Sequence, residues 1–145
     1  MLEFQPLNED NVVAVALLEK ECFGKNAWSE NLLRGEIDQS DKYYTVVLLD
    51  GKVVAYGGFA KVIDEGDIMN IAVSSEYRRQ GFAGMVLSDF FNKSKELGIK
   101  SFTLEVRVSN EPARKLYEKY GFEFSGIRTK YYSDGEDCCI YWKYM

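Results

Sequence analysis

The sequence predicts an α/β protein, a mixed sheet of about seven strands with about four helices on its faces. Three observations carry this. Strand, helix and strand follow one another from Asp67 to Arg107, and such a βαβ unit makes its two strands parallel neighbours. The stretches YYTVVLLD and KVVAYGGF flank Asp50-Gly51, the dipeptide of a type I′ hairpin. Two aromatic-rich strands close the chain, and the hairpins make the remainder of the sheet antiparallel.

Taken in order, Leu2 to Pro6 forms a first strand. Asn8 or Asp10 caps a helix that runs to about Phe23, with Val12, Val13, Ala16, Leu17 and Cys22 as its apolar positions. Ser29 caps a second helix, Glu30 to Ile37, in which Leu32 and Leu33 are apolar. The hairpin follows, and the paired Gly57 and Gly58 late in its second strand call for a bulge or a close backbone approach. A further strand runs from about Asp67 to Val73. Phe82, Met85, Val86, Phe90 and Leu97 then recur at helical spacing, and Gly98 stands just past the helix end. In FTLEV the alternation puts Phe102, Leu104 and Val106 on one face and Thr103, Glu105 and Arg107 on the other. Asn110 caps the last helix, Pro112 is tolerated in its first turn, and Ala113, Leu116, Tyr117 and Tyr120 form its stripe. The last strands are about Phe122 to Tyr132 and Asp137 to Tyr144. No repeat or linker breaks the 145 residues, which predicts one domain over 1–145.

Composition excludes several functions. The formal charge is −5, which suits a cationic substrate and disfavours general nucleic-acid binding, where phosphate contacts need Lys and Arg. Histidine is absent, so Ser-His-Asp and Cys-His catalysis are excluded. Three cysteines, Cys22, Cys138 and Cys139, make neither a disulfide framework nor Cys-x-x-Cys spacing, and no metal is expected. The start, MLEFQPLNED, has no basic then apolar signal-peptide pattern, and Val12 to Leu18 is too short to span a bilayer. The expectation is a cytoplasmic protein away from membranes.

The segment YRRQGFAG, Tyr77 to Gly84, concentrates positive charge and small residues where a helix begins. The first N–H groups of a helix have no intrahelical partner and lie at its positive end. Small residues at Gly81, Ala83 and Gly84 would let an anion approach them, and Arg78 and Arg79 add charge at the mouth. A diphosphate can be held this way without a metal. The loop is neither a Walker A loop nor the three-glycine dinucleotide fingerprint. On its residues alone it is equally an ordinary strand-to-helix turn.

Arg78-x-x-Gly81-x-Ala83 resembles the acetyl-CoA signature of the GNAT superfamily of N-acetyltransferases, and the order of elements resembles its fold over nearly the whole chain. MNIAV, LEVRVSN, ARKLYEKYGF, GIRTKYY and Glu136-Asp137 resemble its RimI-type ribosomal-protein-alanine N-acetyltransferases. AWSE does too, with Ala27 where that group usually has Pro. The resemblance implies acetyl-CoA as co-substrate, with main-chain groups of Ile71, Ala72 and Val73 on its acetyl and pantetheine part. It implies Arg79, Gln80, Gly81, Phe82, Ala83 and Gly84 on its pyrophosphate. Asn110 matches a cofactor contact and is an equally good helix cap. Glu105 matches the general base, against a plain alternative of a solvated Glu paired with Arg107. Tyr117 matches the general acid that protonates the departing thiolate, against the alternative of a core tyrosine. Cys22 is expected in helix core and Cys138 and Cys139 in a strand.

The implied acceptor is the N-terminal alanine of a small-subunit ribosomal protein, presented as an extended basic tail and attacking directly in a ternary complex. Asp64, Glu65, Asp67, Asp134, Glu136 and Asp137 are candidates to meet it, with Trp28, Tyr131 and Tyr132 lining its groove. The alternatives are a GNAT enzyme acting on a small-molecule amine and an inactive acyl-CoA-binding module. Oligomeric state is not read from the sequence.

Overall fold

The computed structural model describes every residue, Met1–Met145. Seven strands, β1 (Leu2–Gln5), β2 (Lys42–Leu49), β3 (Lys52–Val62), β4 (Glu65–Val73), β5 (Ser101–Arg107), β6 (Glu123–Arg128) and β7 (Cys138–Tyr144), form one sheet. Their order is β1-β2-β3-β4-β5-β7-β6. Only β4 and β5 are parallel, as the βαβ unit requires. Helices α1 (Val12–Phe23) and α2 (Glu30–Glu36) cover one face, and α3 (Phe82–Leu97) and α4 (Glu111–Lys119) the other. Under α3 and α4 the core gathers Phe59, Phe90, Phe102 and Tyr141; under α1 and α2 it gathers Val12, Val15, Leu33 and Tyr56.

Local sequence chemistry explains most boundaries. Asp50 and Gly51 both have positive φ, 50° and 82°, as a type I′ turn demands. Ser29 Oγ accepts from the Leu32 N–H at 3.1 Å, and Asn110 Oδ1 from the Ala113 N–H at 3.2 Å. Asn8, and not Asp10, prepares the start of α1: its side chain accepts from the N–H groups of Asp10 and Asn11.

Two expectations are corrected. The buried side of α1 is Val12, Val15, Leu18 and Glu19, while Val13 and Leu17 are exposed. Every residue from Val12 to Leu18 is apolar, so helical spacing fits every phase and does not select one. Strand β6 ends at Arg128, well before Tyr132. The chain then turns around Arg107, whose guanidinium pairs with Asp134 and Glu136, each at 2.8 Å, and stacks on the Tyr132 ring at 4.0 Å. Glu136 also accepts from the Ser109 N–H, and Asp137 from the Lys130 N–H.

The Gly57-Gly58 pair is both a bulge and a close approach. Gly58 pairs with Asn70 but Phe59 with Ile68, so β4 carries an extra residue, Met69. A Cβ on Gly58 would lie 2.3 Å from the Tyr44 ring. Tyr44 is buried, stacked on Tyr56 and hydrogen-bonded to Glu36, and has nowhere to retreat.

Beyond Asp67 and Thr103 the ladder between β4 and β5 stops. Each strand stays paired with its outer neighbour, β4 with β3 through Val73 and β5 with β7 through Arg107. The centre of the sheet therefore opens into a V.

Gly58→Ala is expected to destabilise the fold by about 1–3 kcal/mol, the usual cost of overpacking, measured as a lower denaturation midpoint with unchanged m-value. A second expectation concerns acid. Hydrogen bonding from Ser109, then Arg107, holds Glu136 down at about 2, against an ordinary 4.5. The unfolded state takes up this proton first, so the contribution is full above pH 4.5 and lost as pH falls through about 2. The Tm difference between wild type and Glu136→Gln should be largest above pH 4.5 and shrink to nothing toward pH 2.

Candidate active site

A cleft of about 720 Å³ opens where the end of β4, the start of α3 and the inner side of α4 meet. Ile71, Ala72 and Val73 line it from β4, Arg79, Gly81, Phe82, Ala83 and Gly84 from the turn into α3, and Asn110 and Tyr117 from the α4 segment. Asn110 thus both caps its helix and faces the cleft. Gln80 does not line it, and neither does Glu105.

Several wall residues were not expected. Cys22 and Phe23 close one side from the end of α1, and Pro112, Ala113, Leu116, Lys119 and Tyr120 extend the α4 wall. The stripe along α4 was legible, but its spacing does not distinguish a helix facing a core from one facing a cleft. Cys22 is not core: it is half-buried on the wall, its thiol donating to the Val73 carbonyl at 3.4 Å. Burial pushes that thiol up.

At the mouth, α3 begins at Phe82 after Gly81, whose φ is 86°. Arg79 also has positive φ, 64°, so the turn aims the helix start and its free N–H groups into the cleft. The two small residues differ in purpose. A Cβ on Gly81 meets nothing, whereas one on Gly84 would lie 1.9 Å from the Tyr120 hydroxyl oxygen. Gly84 is therefore required for α3 and Tyr120 to pack, and it also lines the cleft. Arg78 folds back, its Nε donating to the Val73 carbonyl at 3.3 Å, while Arg79 makes no ion pair or side-chain hydrogen bond and lines the mouth.

Tyr117 lies at the inner end, against Phe122 and Tyr141. Burial pushes its hydroxyl up to about 12. No buried side-chain polar atom lacks a partner and this hydroxyl makes no protein hydrogen bond, so it opens to the cleft.

Glu105 stands on the opposite face of the sheet, since Leu104 and Val106 on either side are buried under α3 and α4. It is not paired with Arg107, which is taken by Asp134 and Glu136. Its Oε2 accepts instead from the Tyr131 hydroxyl at 2.9 Å. Asp67, the last β4 residue paired with β5, is half-buried nearby, and burial, then Glu105, raises its carboxyl. Of the acidic candidates, Asp134, Glu136 and Asp137 are engaged in closing their own turn. Glu65 and Asp67 lie on the stretch of β4 that is still paired with β5, and Asp64 in the turn before it. Tyr131 borders Glu105 directly; Tyr132 stacks on Arg107 in the turn; Trp28 packs against the core under α1 and α2.

One polar residue escaped the sequence altogether. Glu19 is fully buried in α1. It accepts from the Trp28 N–H at 2.9 Å, from the Asn70 side chain at 3.2 Å and from the Tyr56 hydroxyl. Its position four residues after Val15 and seven after Val12 was the available signal, hidden by the uniformly apolar run before it.

Comparison with known proteins identifies the fold and the family. The profile of the Acetyltransferase (GNAT) family matches residues 9–122. The [ribosomal protein bS18]-alanine N-acetyltransferase of Escherichia coli K12 is 35% identical over 116 residues, 78% of this chain and 77% of its own. A Bacillus subtilis relative is 42% identical over 101 residues, 69% of this chain and 67% of its own. The crystal structure of the E. coli ribosomal-protein-S18-alanine N-acetyltransferase superposes with a TM-score of 0.89 at 30% identity, covering 99% of this chain and 94% of that one. The paiA N-acetyltransferase of Thermoplasma acidophilum, solved with coenzyme A, shares the fold at a TM-score of 0.86 and 16% identity, over 100% and 99% of the two chains. The chain belongs to the GNAT family of acetyltransferases.

Proposed function

We propose that this enzyme transfers the acetyl group of acetyl-CoA to the N-terminal alanine of a small-subunit ribosomal protein, working in the cytoplasm as a single domain. The relatives named for ribosomal protein bS18 support the acceptor. The observation that carries the mechanism is the V between β4 and β5, with an unpaired phenol on one side and a carboxylate on the other.

The cleft fits an elongated anion with an acyl end. Its mouth has a helix N-terminus and Arg79, its length is mainly apolar, and main chain without ladder partners lies at its inner end. The co-substrate supplies an activated thioester. Arg79, Gly81, Phe82 and Ala83 hold the diphosphate, Gln80 shapes the turn, and Ile71, Ala72 and Val73 hold the pantetheine by main-chain groups. N–H groups left free where the strands part stabilise charge on the acetyl oxygen.

The amine arrives on the face of Glu105, between the Tyr131 side and the Trp28 side. An N-terminal amine has a pKa of about 7.7–8.0, so a carboxylate acting through water suffices to take its proton. Asp67 and Glu65 give that approach a negative field suited to a basic tail. Tyr117 faces the departing sulfur. With its hydroxyl at about 12, full transfer to a thiolate of pKa about 8.5 is uphill by roughly 5 kcal/mol. Tyr117 donates a hydrogen bond to the developing thiolate, which takes its proton from solvent, while the proton shed by the amine leaves through Glu105 and water.

Mass spectrometry after incubation with acetyl-CoA should show one added acetyl on a peptide beginning Ala-Arg and none on its N-blocked form. Acetylation of spermidine without the peptide would overturn the acceptor; tight coenzyme A binding without any acceptor would leave only a binding module. Tyr117→Phe should lower kcat by about 10–100-fold, as loss of a hydrogen bond to a charged atom does, with the acetyl-CoA KM little changed. The factor should be constant from pH 6 to 9, because Tyr117 stays protonated throughout; an unchanged kcat would remove its role.

A further inference from the structure

We infer that Glu19 is a positioning residue for the acceptor, pinning the loop Gly24–Ser29 to the strand that forms one arm of the V. This rests on the proposed reading of the site and extends it to a residue that touches no substrate.

The geometry is specific. Cys22 and Phe23 end α1 on the cleft wall. The chain then makes a single tight turn, Gly24–Asn26, and reaches Trp28 and the cap of α2 at Ser29. This loop directly continues the wall that Cys22 and Phe23 give the cleft, and in the proposed reading its Trp28 end flanks the acceptor. One anchor inside the protein is the Trp28 N–H, donated to Glu19 Oε1. The other oxygen, Oε2, accepts from Asn70. Asn70 follows the bulged Met69 and precedes Ile71, beyond the last β4–β5 pair at Asp67. One carboxylate thus bridges the acceptor-side loop and the diverging part of β4.

A surface residue would serve poorly. Glu19 is completely shielded from water and surrounded by Val15, Leu18 and Tyr56, where an ionic acceptor is costly unless every lone pair is used. All three of its bonds come from donors on separate elements: the loop, β3 and β4. Fully satisfied buried polar groups select one arrangement of the parts they join. An apolar residue of the same size would fill the space equally well and leave the loop free to shift relative to β4. The amine's path runs between that loop and the Glu105–Tyr131 side, so a shift alters the acceptor's seat and leaves the co-substrate wall on α3 and α4 in place.

The test is the split between the two substrates. Glu19→Leu, Glu19→Gln and Tyr56→Phe are compared with wild type for KM of the acceptor amine, KM of acetyl-CoA, kcat and Tm. Glu19→Leu should raise the acceptor KM by about tenfold or more and leave the acetyl-CoA KM within about twofold. Glu19→Gln can still accept from Trp28 and should recover most of the loss. Tyr56→Phe removes a donor but not the loop's bond, and should lower Tm while keeping the acceptor KM within about twofold. If Glu19→Leu fails to melt cooperatively, Glu19→Asp decides by the same ratio, because its carboxylate is drawn back by about 1.5 Å from Trp28. An unchanged acceptor KM in a folded variant, or both KM values rising together, would overturn the inference. The ratio is read with whichever amine the wild type acetylates, so failure of the alanine peptide counts against the proposed acceptor alone.

Discussion

The site depends on one constraint: β4 and β5 are neighbours that are each held more firmly to the strand on their other side. β5 pairs with β7 from Ser101 to Arg107, and β4 with β3 from Glu65 to Val73, but β4 and β5 meet only from Glu65 to Asp67. The bulge at Met69 adds twist to β4 just where the two separate. Main chain in the middle of a sheet is normally satisfied by its neighbour. Here that neighbour is missing beyond Asp67 and Thr103, where the cleft opens.

Placement of polar groups follows from that gap. Alternation along β5 sends Leu104 and Val106 under α3 and α4 and leaves Glu105 on the other face. The cleft containing Tyr117 lies on the α3 and α4 side. A group passing through the V is therefore met by a phenol from one side and a carboxylate from the other. The two never need to touch, which suits a transfer in which the amine and the leaving sulfur sit on opposite sides of one carbon. The Tyr131 hydroxyl, raised chiefly by its bond to Glu105, fixes the carboxylate's orientation from the β6–β7 turn.

The fold was legible wherever local chemistry has one solution. Asp50-Gly51 permits one hairpin, Ser29 and Asn110 have one place to cap, and the alternation of FTLEV has one burial pattern. It was illegible where a pattern is degenerate. The run from Val12 to Leu18 is apolar in every helical phase, so both the buried side of α1 and Glu19 upon it were hidden. The turn after Arg128 was hidden because its order comes from Arg107, more than twenty residues earlier, gripping Asp134 and Glu136. Those acids looked like a surface for a basic tail because pairing across the sheet leaves no trace in composition.

The loop that opened the functional question makes the same point about specificity. Its small residues were all taken as space for an anion, yet Gly84 is buried and is small because Tyr120 occupies the volume beside it. Gly81 supplies something else, a positive φ where the helix starts at the cleft. A signature of small residues at a helix start thus combines two demands, one on the backbone angle and one on the packing of α4 against α3. The second demand is what brings the Tyr117 helix to the cleft. The start of α3 and the helix that carries Tyr117 are thus joined in part through Gly84 against Tyr120, and the small-residue signature belongs to the wall on which Tyr117 stands as much as to the turn before α3.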